Sequence, residues 1–345
     1  MNTSNKPLII LGAFCCIFSF VLNGTLLKYL KIQTPKKANS QIRWSISKQP
    51  TLGGISFYLS FLIMFFYTSQ PSYSLLLPLT LAFGIGLIDD YFVLSPFFKL
   101  LGQLLIALLI VKEHCIYLVD NNVVNTVFTF FWIIGLMNAI NMLDNMDGIL
   151  ASTVLIILLV ALIIRPEASS LELNFYIVYI VGALISFLYF NWQPAKMYMG
   201  DSGSQFLGAF LAWISIQYFW IFRDESIEGF QIKQFLVPVL AFIIPIIDTS
   251  TVIYFRIKKG ISPFIGGKDH LTHHLVYAGF SERQAVILLS IISLFSGMII
   301  FFIEDIVGTN QWRNVCSIIV AIYILLVWLL LQIMYEKGEA KKVLS

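Results

Sequence analysis

The sequence predicts an all-α integral membrane protein, a polytopic bundle of about eleven transmembrane helices with its N-terminus outside and its C-terminus cytoplasmic. Composition is the first observation behind this prediction. Of the 345 residues, 58% are hydrophobic and 12% are charged, against about 45–50% and about 25% in soluble domains. The second observation is that the longest polar stretches, of about 25 residues, are too short for a soluble domain of 50 or more. We therefore predict one integral-membrane domain over residues 1–345.

The predicted spans follow from windows of about 20 apolar residues, the length that crosses a bilayer as a helix. They lie near 7–27, 52–68, 74–90, 97–112, 126–143, 148–165, 173–190, 203–222, 234–255, 284–303 and 312–335. The first window is long for a signal peptide and lacks a clear small-residue cleavage site, so we expect it to be retained as a span.

The distribution of Lys and Arg sets the orientation. An odd number of spans puts the termini on opposite sides, and an outside N-terminus assigns 16 of the 22 basic residues to the inner side. Basic loops stay in the cytoplasm, so we expect a multi-pass protein of the cytoplasmic (inner) membrane. The unusual polar clusters then share the cytoplasmic side, which predicts an active site there. The corresponding loops are 28–51, 89–98, 138–148, 191–204 and 256–283.

Charge and cysteine content exclude two other classes. The net charge of +3 is too small to indicate nucleic-acid binding. The four cysteines have neither metal-site nor redox-motif spacing, so we interpret them as packing residues.

The apolar run that ends at Gly148 is the first candidate for chemistry, because it finishes in two asparagines and two aspartates. Ionisable groups near hydrocarbon cost roughly 2.5–3.5 kcal/mol each on insertion scales, and they persist where they face a water-filled cavity or bind a cation. Asn138 and Asn141 share one helix face, whereas Asp147 points away from them. The helix is therefore expected to break near Asp144, with Gly148 permitting the turn.

Two adjacent carboxylates, Asp89 and Asp90, end the third predicted span. Adjacent carboxylates repel, so at least one of them needs a metal, another cation or a raised pKa. The alternative is a pair of solvated acids at a helix end, but a helix C-terminus disfavours negative charge. We favour a functional role for the pair.

The segment Met199–Gln205, MGDSGSQ, precedes the eighth span. Its glycines and serines allow backbone N–H groups to approach a phosphate, and Asp201 can hold a divalent ion over the same phosphate. The alternative is a helix N-cap, because Asp and Ser both cap helices. Asp201 together with Asn141 and the aspartate pair makes the stronger case for a site.

Three of the four histidines lie in the stretch DHLTHH at 269–274. In a helix these three histidines share one face. A zinc site would need a Glu of the HExxH type or a nearby cysteine, so cationic or hydrogen-bonding histidines for a phosphorylated ligand fit better. Arg256 and neighbouring lysines support this interpretation. Asp248, within the ninth span, is expected either to face the cavity or to pair with Arg256 as structural support.

The first inside loop ends in KQPTLGG, residues 48–54. On residues alone, we interpret Lys48 as one of the basic residues that keep this loop on the inner side, and the glycine pair as a place where helices pack closely.

The combination of oxygen ligands, a glycine-serine loop and a basic histidine loop nevertheless suits Mg²⁺-dependent chemistry on a diphosphate, with Mn²⁺ as an alternative ion. Magnesium takes one or two carboxylate or amide oxygens and completes its shell with water and substrate phosphates.

These stretches together resemble the polyprenyl-phosphate N-acetylhexosamine-1-phosphate transferase family, of glycosyltransferase family 4 type, over residues 48–283. PTLGG after Lys48 resembles the family's PTxGG segment, and Asp89–Asp90 its Asp-Asp motif. NAINMLDNMDG at 138–148 is similar to NxxNxxDGxDG, and GDSGS at 200–204 is similar to GDxGS. SPF followed by DHLTHH resembles the family's histidine loop.

The resemblance implies transfer of a sugar 1-phosphate from a UDP-sugar to polyprenyl (undecaprenyl) phosphate. UMP is released, and the lipid-linked diphosphate sugar initiates cell-envelope glycan synthesis. The implied metal contacts are Asn141 and Asp201. The implied catalytic residues are Asp89, Asp90, Asp144, Asp147 and His270, and the implied substrate-binding residues are Lys48, Asn138, Asn145, Gly200, Ser202, Arg256, His273 and His274. The expected partners are the two substrates and membrane lipid, without nucleic acid; a homodimer and other oligomeric states stay open.

Three departures from the family pattern bear on the branch. Asn145 replaces the glycine usual before the second aspartate, and Val93 stands where some members have a third acid. HLTHH replaces three consecutive histidines, which points away from the muramoyl-pentapeptide branch and toward the bacterial N-acetylglucosamine-type branch. The resemblance leaves the UDP-sugar, the lipid length and the downstream glycan undetermined.

Two other classes are weighed against this interpretation. CDP-alcohol phosphatidyltransferases have DG followed by Ala-Arg, but here Ser152 stands where that arginine should be. A proton-coupled secondary transporter would carry acids near mid-span and an internal repeat, whereas the acids here cluster at the predicted cytoplasmic ends. Both alternatives are less favoured.

Overall fold

A computed structural model of the protein describes residues 6–29, 44, 49–68, 71–164, 171–222, 231–263, 266–307 and 313–344. These residues form helices connected by short loops, and the described chain contains no β-strand beyond an isolated bridge between Thr51 and Tyr198. The prediction of an all-α protein is confirmed. The helices are α1 (Lys6–Tyr29), α2 (Gly53–Tyr67), α3 (Tyr73–Phe92), α4 (Pro96–Glu113), α5 (Asn122–Leu143), α6 (Ile149–Ile164), α7 (Leu171–Asn191), α8 (Gly200–Tyr218), α9 (Ile232–Ala241), α10 (Ile243–Lys258), α11 (Leu271–Ala278), α12 (Glu282–Val307) and α13 (Arg313–Leu344).

Within the described ranges, six helices are long and apolar enough to cross a membrane: Leu8–Tyr29, Tyr73–Phe92, Asn122–Leu143, Leu173–Asn191, Glu282–Phe302 and Cys316–Lys342. The bent pair of α9 and α10 makes a seventh if it is one broken span. Helices also occupy the remaining windows predicted from the sequence, but α2 and α6 have only 15 and 16 residues. The number of eleven spans therefore stays a prediction.

The central helix of the bundle is α8, in which every residue except Gln217 is buried. It packs against α2, α3 and α5. Gly86 of α3 lies directly against the backbone of Asp201, where a Cβ atom would overlap the Asp201 carbonyl. Small residues permit such close helix approach. One turn beyond Gly86, this approach brings Asp90 to the first turn of α8.

The ninth predicted span, 234–255, is wrong as a single continuous helix. The chain breaks at Phe242, between α9 and α10, and the two helices differ in direction by 83°. Pro238 lies inside α9, and proline removes a backbone donor and disrupts the helix around it. The bend directs α10 toward α11, which places the later residues of α10 beside the histidine stretch.

The histidine stretch forms the short helix α11, which packs along the C-terminal part of α13. With 32 residues, α13 is about 48 Å long at 1.5 Å per residue, which exceeds a hydrocarbon core of about 30 Å. Its C-terminal part, around Tyr335, contacts α11.

Candidate active site

The predicted site residues gather at one end of the bundle, where the C-terminal ends of α3, α5 and α10 meet the N-terminal ends of α8 and α11. Lys48 lies outside the described residues. The others form three connected groups: an acidic centre at α3, α4 and α8, the turn after α5, and the segment around α11. Each group is built from helix ends, whose free backbone groups and dipoles favour charged partners.

Asp90 caps the N-terminus of α8 from another helix. Its two carboxylate oxygens accept hydrogen bonds from the backbone N–H groups of Asp201 at 2.9 Å and Ser202 at 3.0 Å. Gly200 has a φ of +80°, and a Cβ atom there would lie 2.7 Å from the Asp90 carboxylate. The glycine thus permits both the backbone turn and the close approach of the acid.

This arrangement corrects one expectation. The N–H groups of Asp201 and Ser202, expected to meet a substrate phosphate, bond to Asp90, because a buried helix N-terminus must be satisfied and favours a carboxylate. The less favoured alternative, a pair of solvated acids, does not agree with the structure, since the exposed fractions of Asp89 and Asp90 are 1% and 5%. Asp201 lies within the first turn of α8, and the capping role belongs to Asp90.

Lys99, in the first turn of α4, lies between two carboxylates of the acidic centre. Its ammonium group pairs with Asp89 and lies 3.9 Å from the Asp201 carboxylate. Asp89 also accepts a hydrogen bond from the Leu94 backbone N–H at 2.7 Å. In the sequence, Lys99 is only one of the 16 basic residues assigned to the inner side. It lies ten residues from Asp89, and only the turn between α3 and α4 brings the two side chains into contact.

The acidic centre fits a magnesium ion better than a closed metal cage. Two carboxylates, from Asp89 and Asp201, converge on one cationic group, and Mg²⁺ takes one or two carboxylates with water and phosphate completing its shell. In the part of the chain that the structure describes, no cluster of three or more His, Cys, Asp and Glu side chains is arranged to hold a metal.

Asn141 contacts α8 directly, whereas Asn138 contacts α4. The Asn141 side-chain oxygen accepts a hydrogen bond from the Ser204 hydroxyl at 2.8 Å, one turn from Asp201. The Asn138 amide donates to Gln103 of α4 at 2.9 Å, and Gln103 bonds in turn to Gln205 of α8 at 3.2 Å. Asn141 thus lies at the acidic centre, whereas Asn138 belongs to an amide network that joins α4, α5 and α8 beneath it.

The turn after α5 matches the predicted break. The helix ends at Leu143, Asp144 is its C-cap, and Gly148 has a φ of +79°. Asp147 accepts a hydrogen bond from the Ala195 backbone N–H at 3.0 Å. Asp144 and Asp147 are both buried, so the turn packs against the rest of the protein and is not exposed to solvent.

Asn145 links this turn to α11. Its side-chain oxygen accepts a hydrogen bond from the Thr272 hydroxyl at 2.5 Å, while its amide donates to the Met142 carbonyl at 3.0 Å. A glycine at this position would make neither contact. The departure from the family pattern at Asn145 therefore creates a connection between the turn after α5 and the histidine helix α11.

The Asp248 carboxylate anchors the N-terminus of α11. It lies 2.9 Å from Nδ1 of His270 and accepts a hydrogen bond from the Leu271 backbone N–H at 2.7 Å. Of the two alternatives for Asp248, the structure does not show the pair with Arg256, and the contacts with α11 agree with a structural supporting role. Arg256 instead makes a two-point contact with Asp269, at 2.7 Å for each bond, because its planar fork matches a carboxylate.

Arg256 also donates to the Pro263 carbonyl at 2.7 Å. Burial raises the pKa of Asp269, but the Arg256 guanidinium outweighs this effect and brings the pKa below its usual range. These bonds give Arg256 a supporting function for the loop before α11. Its expected contact with substrate stays a prediction.

His273 and His274 point to different surroundings. The His273 ring stacks on Trp44, whereas the His274 ring stacks on Tyr335 of α13 with centroids 3.6 Å apart. Burial lowers the pKa of His273 well below its ordinary value and lowers the pKa of His274 to about 4. These two imidazoles are therefore neutral at pH 7, which leaves hydrogen bonding, not positive charge, as their contribution.

Comparison with known proteins shows the family to which this chain belongs. Residues 72–219 match the family model described as Glycosyl transferase family 4. A phospho-N-acetylmuramoyl-pentapeptide-transferase of Wolbachia sp. subsp. Brugia malayi is 30% identical over 310 residues, which cover 81% of this chain and 93% of that protein. The chain belongs to glycosyl transferase family 4.

Two further family 4 relatives differ in the reaction that their names describe. A phospho-N-acetylmuramoyl-pentapeptide-transferase of Bacillus mycoides is 31% identical over 287 residues, covering 73% of this chain and 85% of that protein. A probable undecaprenyl-phosphate N-acetylglucosaminyl 1-phosphate transferase of Bacillus subtilis is 27% identical over 290 residues, covering 79% and 77%. The resemblance to the polyprenyl-phosphate sugar-1-phosphate transferases is confirmed, and the branch within them stays a prediction.

The family 4 match includes the acidic centre and the turn after α5 but ends before α10 and α11. The histidine helix therefore lies beyond the residues matched by that family model. Its connection to the matched part runs through Asn145 and Trp44, two residues that the sequence analysis did not treat as a link.

Proposed function

We propose that this family 4 member transfers N-acetylglucosamine 1-phosphate from its UDP-sugar to undecaprenyl phosphate or a related polyprenyl phosphate. UMP leaves, and the product is a lipid-linked diphosphate sugar that initiates a cell-envelope glycan. The observation that carries the proposal is the convergence of Asp89 and Asp201 on one cationic group at the end of an apolar helix bundle. Such a position suits a reaction between a lipid phosphate and a water-soluble diphosphate.

In this proposal the bundle crosses the inner membrane about eleven times, with the N-terminus outside and the site facing the cytoplasm. The 16-to-6 partition of Lys and Arg supports the orientation. A cytoplasmic site also suits the donor, since nucleotide sugars are charged and water-soluble.

Asp201 would hold Mg²⁺, or Mn²⁺ in its place, with Asn141 supplying a second oxygen and Asp89 close to the same position. When bound, the ion would neutralise the charge on the phosphates and on departing UMP. Lys99 would then be free to meet a phosphate oxygen while remaining near the two carboxylates. Asp90 would hold the first turn of α8 in place through its backbone hydrogen bonds.

The proposed reaction is a direct displacement in which the lipid phosphate attacks the β-phosphate of the UDP-sugar. A phosphate monoester has its second pKa near 6 and is largely dianionic at neutral pH, so a strong base is unnecessary. Positioning and charge neutralisation then supply most of the rate, as in other phosphoryl transfers. Asp144 and Asp147 would border the nucleotide, and His273 would donate a hydrogen bond near the diphosphate. His270, whose Nδ1 faces Asp248, would present its Nε2 to the same region.

The stretch HLTHH supports N-acetylglucosamine as the transferred sugar, whereas relatives named for the muramoyl-pentapeptide make that group the second candidate. A CDP-alcohol phosphatidyltransferase and a proton-coupled transporter are the remaining alternatives, and Ser152 and the position of the acids at one end argue against them.

The deciding experiment measures UMP release by the purified full-length protein in detergent with polyprenyl phosphate and Mg²⁺. The donors are UDP-N-acetylglucosamine, UDP-N-acetylgalactosamine and UDP-N-acetylmuramoyl-pentapeptide. We expect UMP only when the acceptor lipid is present, and fastest with UDP-N-acetylglucosamine. A preference for the pentapeptide donor would reject the proposed branch, and absence of UMP with every donor would reject the proposed function. The mass of the active particle in detergent tests whether it is a homodimer.

A further inference from the structure

Trp44 belongs to none of the motifs in the sequence, yet its backbone joins two parts of the candidate site. Its N–H donates to the Asn145 carbonyl at 3.2 Å, and its carbonyl accepts a hydrogen bond from Lys268 Nζ at 3.3 Å. Trp44 therefore connects the turn after α5 with the segment that precedes α11.

The indole ring of Trp44 is enclosed by side chains from α11 and its surroundings. It stacks on the His273 imidazole with centroids 5.6 Å apart and an interplanar angle of 25°, and it meets Tyr277 edge-on at 5.1 Å. The Lys268 ammonium lies 5.4 Å from the ring centre, and Glu282 of α12 interacts with the same side chain. Cation–π and aromatic contacts of this kind fix ring orientation as well as adding stability.

The stacked His273 ring has a fixed orientation. Its Nδ1 accepts a hydrogen bond from the His270 backbone N–H at 3.3 Å, and the side chain is fully buried. Burial under Trp44 is consistent with the low pKa of His273, which keeps the ring neutral. The titratable or charged groups around it are His270, His274 and Asp269 from its own segment, Asp248 from α10 through His270, and Lys268 and Glu282 across Trp44.

We propose that Trp44 is a positioning residue for sugar 1-phosphate transfer, which acts by holding His273 and the Asn145 turn in one arrangement. The inference rests on the proposed function, because it assigns His273 to the donor diphosphate. Trp44 itself need not touch substrate: stacking, edge contact and two backbone hydrogen bonds keep the His273 ring oriented and shielded from water. Removing the ring would let water reach the imidazole and release its orientation.

The test compares the variants Trp44→Ala and Trp44→Phe with wild-type protein, all full-length and purified in detergent. Trp328→Ala is the matched control, since Trp328 is 40% exposed on the apolar part of α13. UMP release is measured at pH 8.0 and pH 5.5 over a range of concentrations of the best donor, which gives kcat and KM at each pH. The kcat of each variant is divided by the wild-type kcat at the same pH, which removes the effects of substrate ionisation.

For Trp44→Ala we expect kcat to fall about tenfold at pH 8.0, with a smaller change in KM, because orientation of a bound substrate is lost. At pH 5.5 the variant-to-wild-type ratio of kcat should fall by about a further tenfold. An imidazole with the ordinary pKa near 6.5 is about 90% protonated there, and its Nδ1 can then no longer accept the His270 N–H bond that orients the ring. Trp44→Phe keeps a stacking ring and should stay within about threefold of wild type at both pH values.

The outcomes separate the two proposals. No UMP from wild-type protein with any donor rejects the proposed function. Active wild-type protein together with a Trp44→Ala variant that matches Trp328→Ala at both pH values overturns the role of Trp44 alone. A loss of the same size at both pH values means a merely structural role and also overturns it. If Trp44→Ala does not purify as a folded particle, Trp44→Leu decides by the same pH ratio, since leucine keeps apolar bulk without a stacking ring.

Discussion

The Asp90 carboxylate at the end of α3 accepts a hydrogen bond from the backbone N–H of Asp201 in the first turn of α8, at 2.9 Å. Two aspartates that look equivalent in the sequence as members of one site thus have different tasks. Asp90 satisfies a buried helix end, while the Asp201 carboxylate lies toward Lys99. We therefore expect substitution of Asp90 to change stability and substitution of Asp201 to change turnover.

Replacing Asp90 by alanine should destabilise the protein. The variant leaves the N–H groups of Asp201 and Ser202 buried without their acceptor, at a cost of about 1–3 kcal/mol. Asp90→Asn keeps one acceptor oxygen and should lose about half as much. Thermal unfolding in detergent measures the effect, and a wild-type melting temperature for Asp90→Ala would contradict it.

Asp201→Asn should remove catalysis without unfolding the protein. The amide keeps the shape of the side chain but weakens attraction to a divalent cation, so turnover should fall by at least about 100-fold while the melting temperature is unchanged. If Asp201 were only a helix cap, Asn would serve as well and activity would survive. Asp120→Asn, an exposed acid at the other end of the bundle, is the control. Near-wild-type UMP release by Asp201→Asn would return Asp201 to a structural role.

Lys99→Gln should reduce turnover about tenfold or more. The substitution leaves the buried Asp89 and the Asp201 carboxylate without their shared cation, and uncompensated buried charge is unfavourable. Lys112→Gln, on the last turn of the same helix and exposed, should have wild-type turnover. Equal turnover of the two variants would show that Lys99 has no role in the reaction beyond being one of the basic residues of the inner side.

His274 should make stability depend on pH. Its pKa of about 4 in the folded protein lies below the ordinary 6.5. Between these values the unfolded chain binds a proton that the folded protein excludes, so the stabilising effect is complete above pH 6.5 and declines as pH falls. From pH 7.5 to pH 5.0 the loss should be about 2 kcal/mol.

The measurement is thermal unfolding of wild-type protein and His274→Gln at those two pH values. The variant should lose less stability on acidification, because it lacks the titrating ring. Its UMP release at pH 7.5 should stay within about threefold of wild type, since the His274 ring packs on Tyr335 of α13. Parallel pH dependence in both proteins would argue against a buried neutral His274.

The orientation can be tested with a native thiol. Cys115 is exposed in the loop between α4 and α5, which is predicted to lie outside. An impermeant maleimide should label it in spheroplasts, and Cys115→Ala should abolish that labelling. In the Cys115→Ala background, Lys258→Cys at the exposed end of α10 should react only after permeabilisation. Reaction of Lys258→Cys in sealed cells would reverse the topology.

The sequence predicted those parts of the site that depend on local order. The break after Leu143 and the turn at Gly148 follow from polar residues that end an apolar helix, and the structure confirms both. The helical content follows from composition and window length. In each case the controlling interactions lie within a few residues of one another.

The sequence could not predict contacts that join distant segments. Asp248 and Arg256 lie two helical turns apart in the sequence, so pairing of the two was one alternative. The bend between α9 and α10 instead brings Asp248 to His270, and Arg256 pairs with Asp269. Lys99 and Trp44 were missed for the same reason. Their partners lie on other helices, and neither residue type is unusual in a cytoplasmic loop.

The bond between Asp90 and Asp201 also sets an order of events during biosynthesis, because the two residues are 111 positions apart. At a translation rate of about 5–20 residues per second, α8 emerges roughly 6–22 s after α3. During that interval α3 has to remain in the membrane with an acid that lacks its final hydrogen-bond donors. Maturation of the acidic centre therefore awaits arrival of the eighth helix, and nascent chains stalled before Gly200 would be natural substrates for membrane quality control.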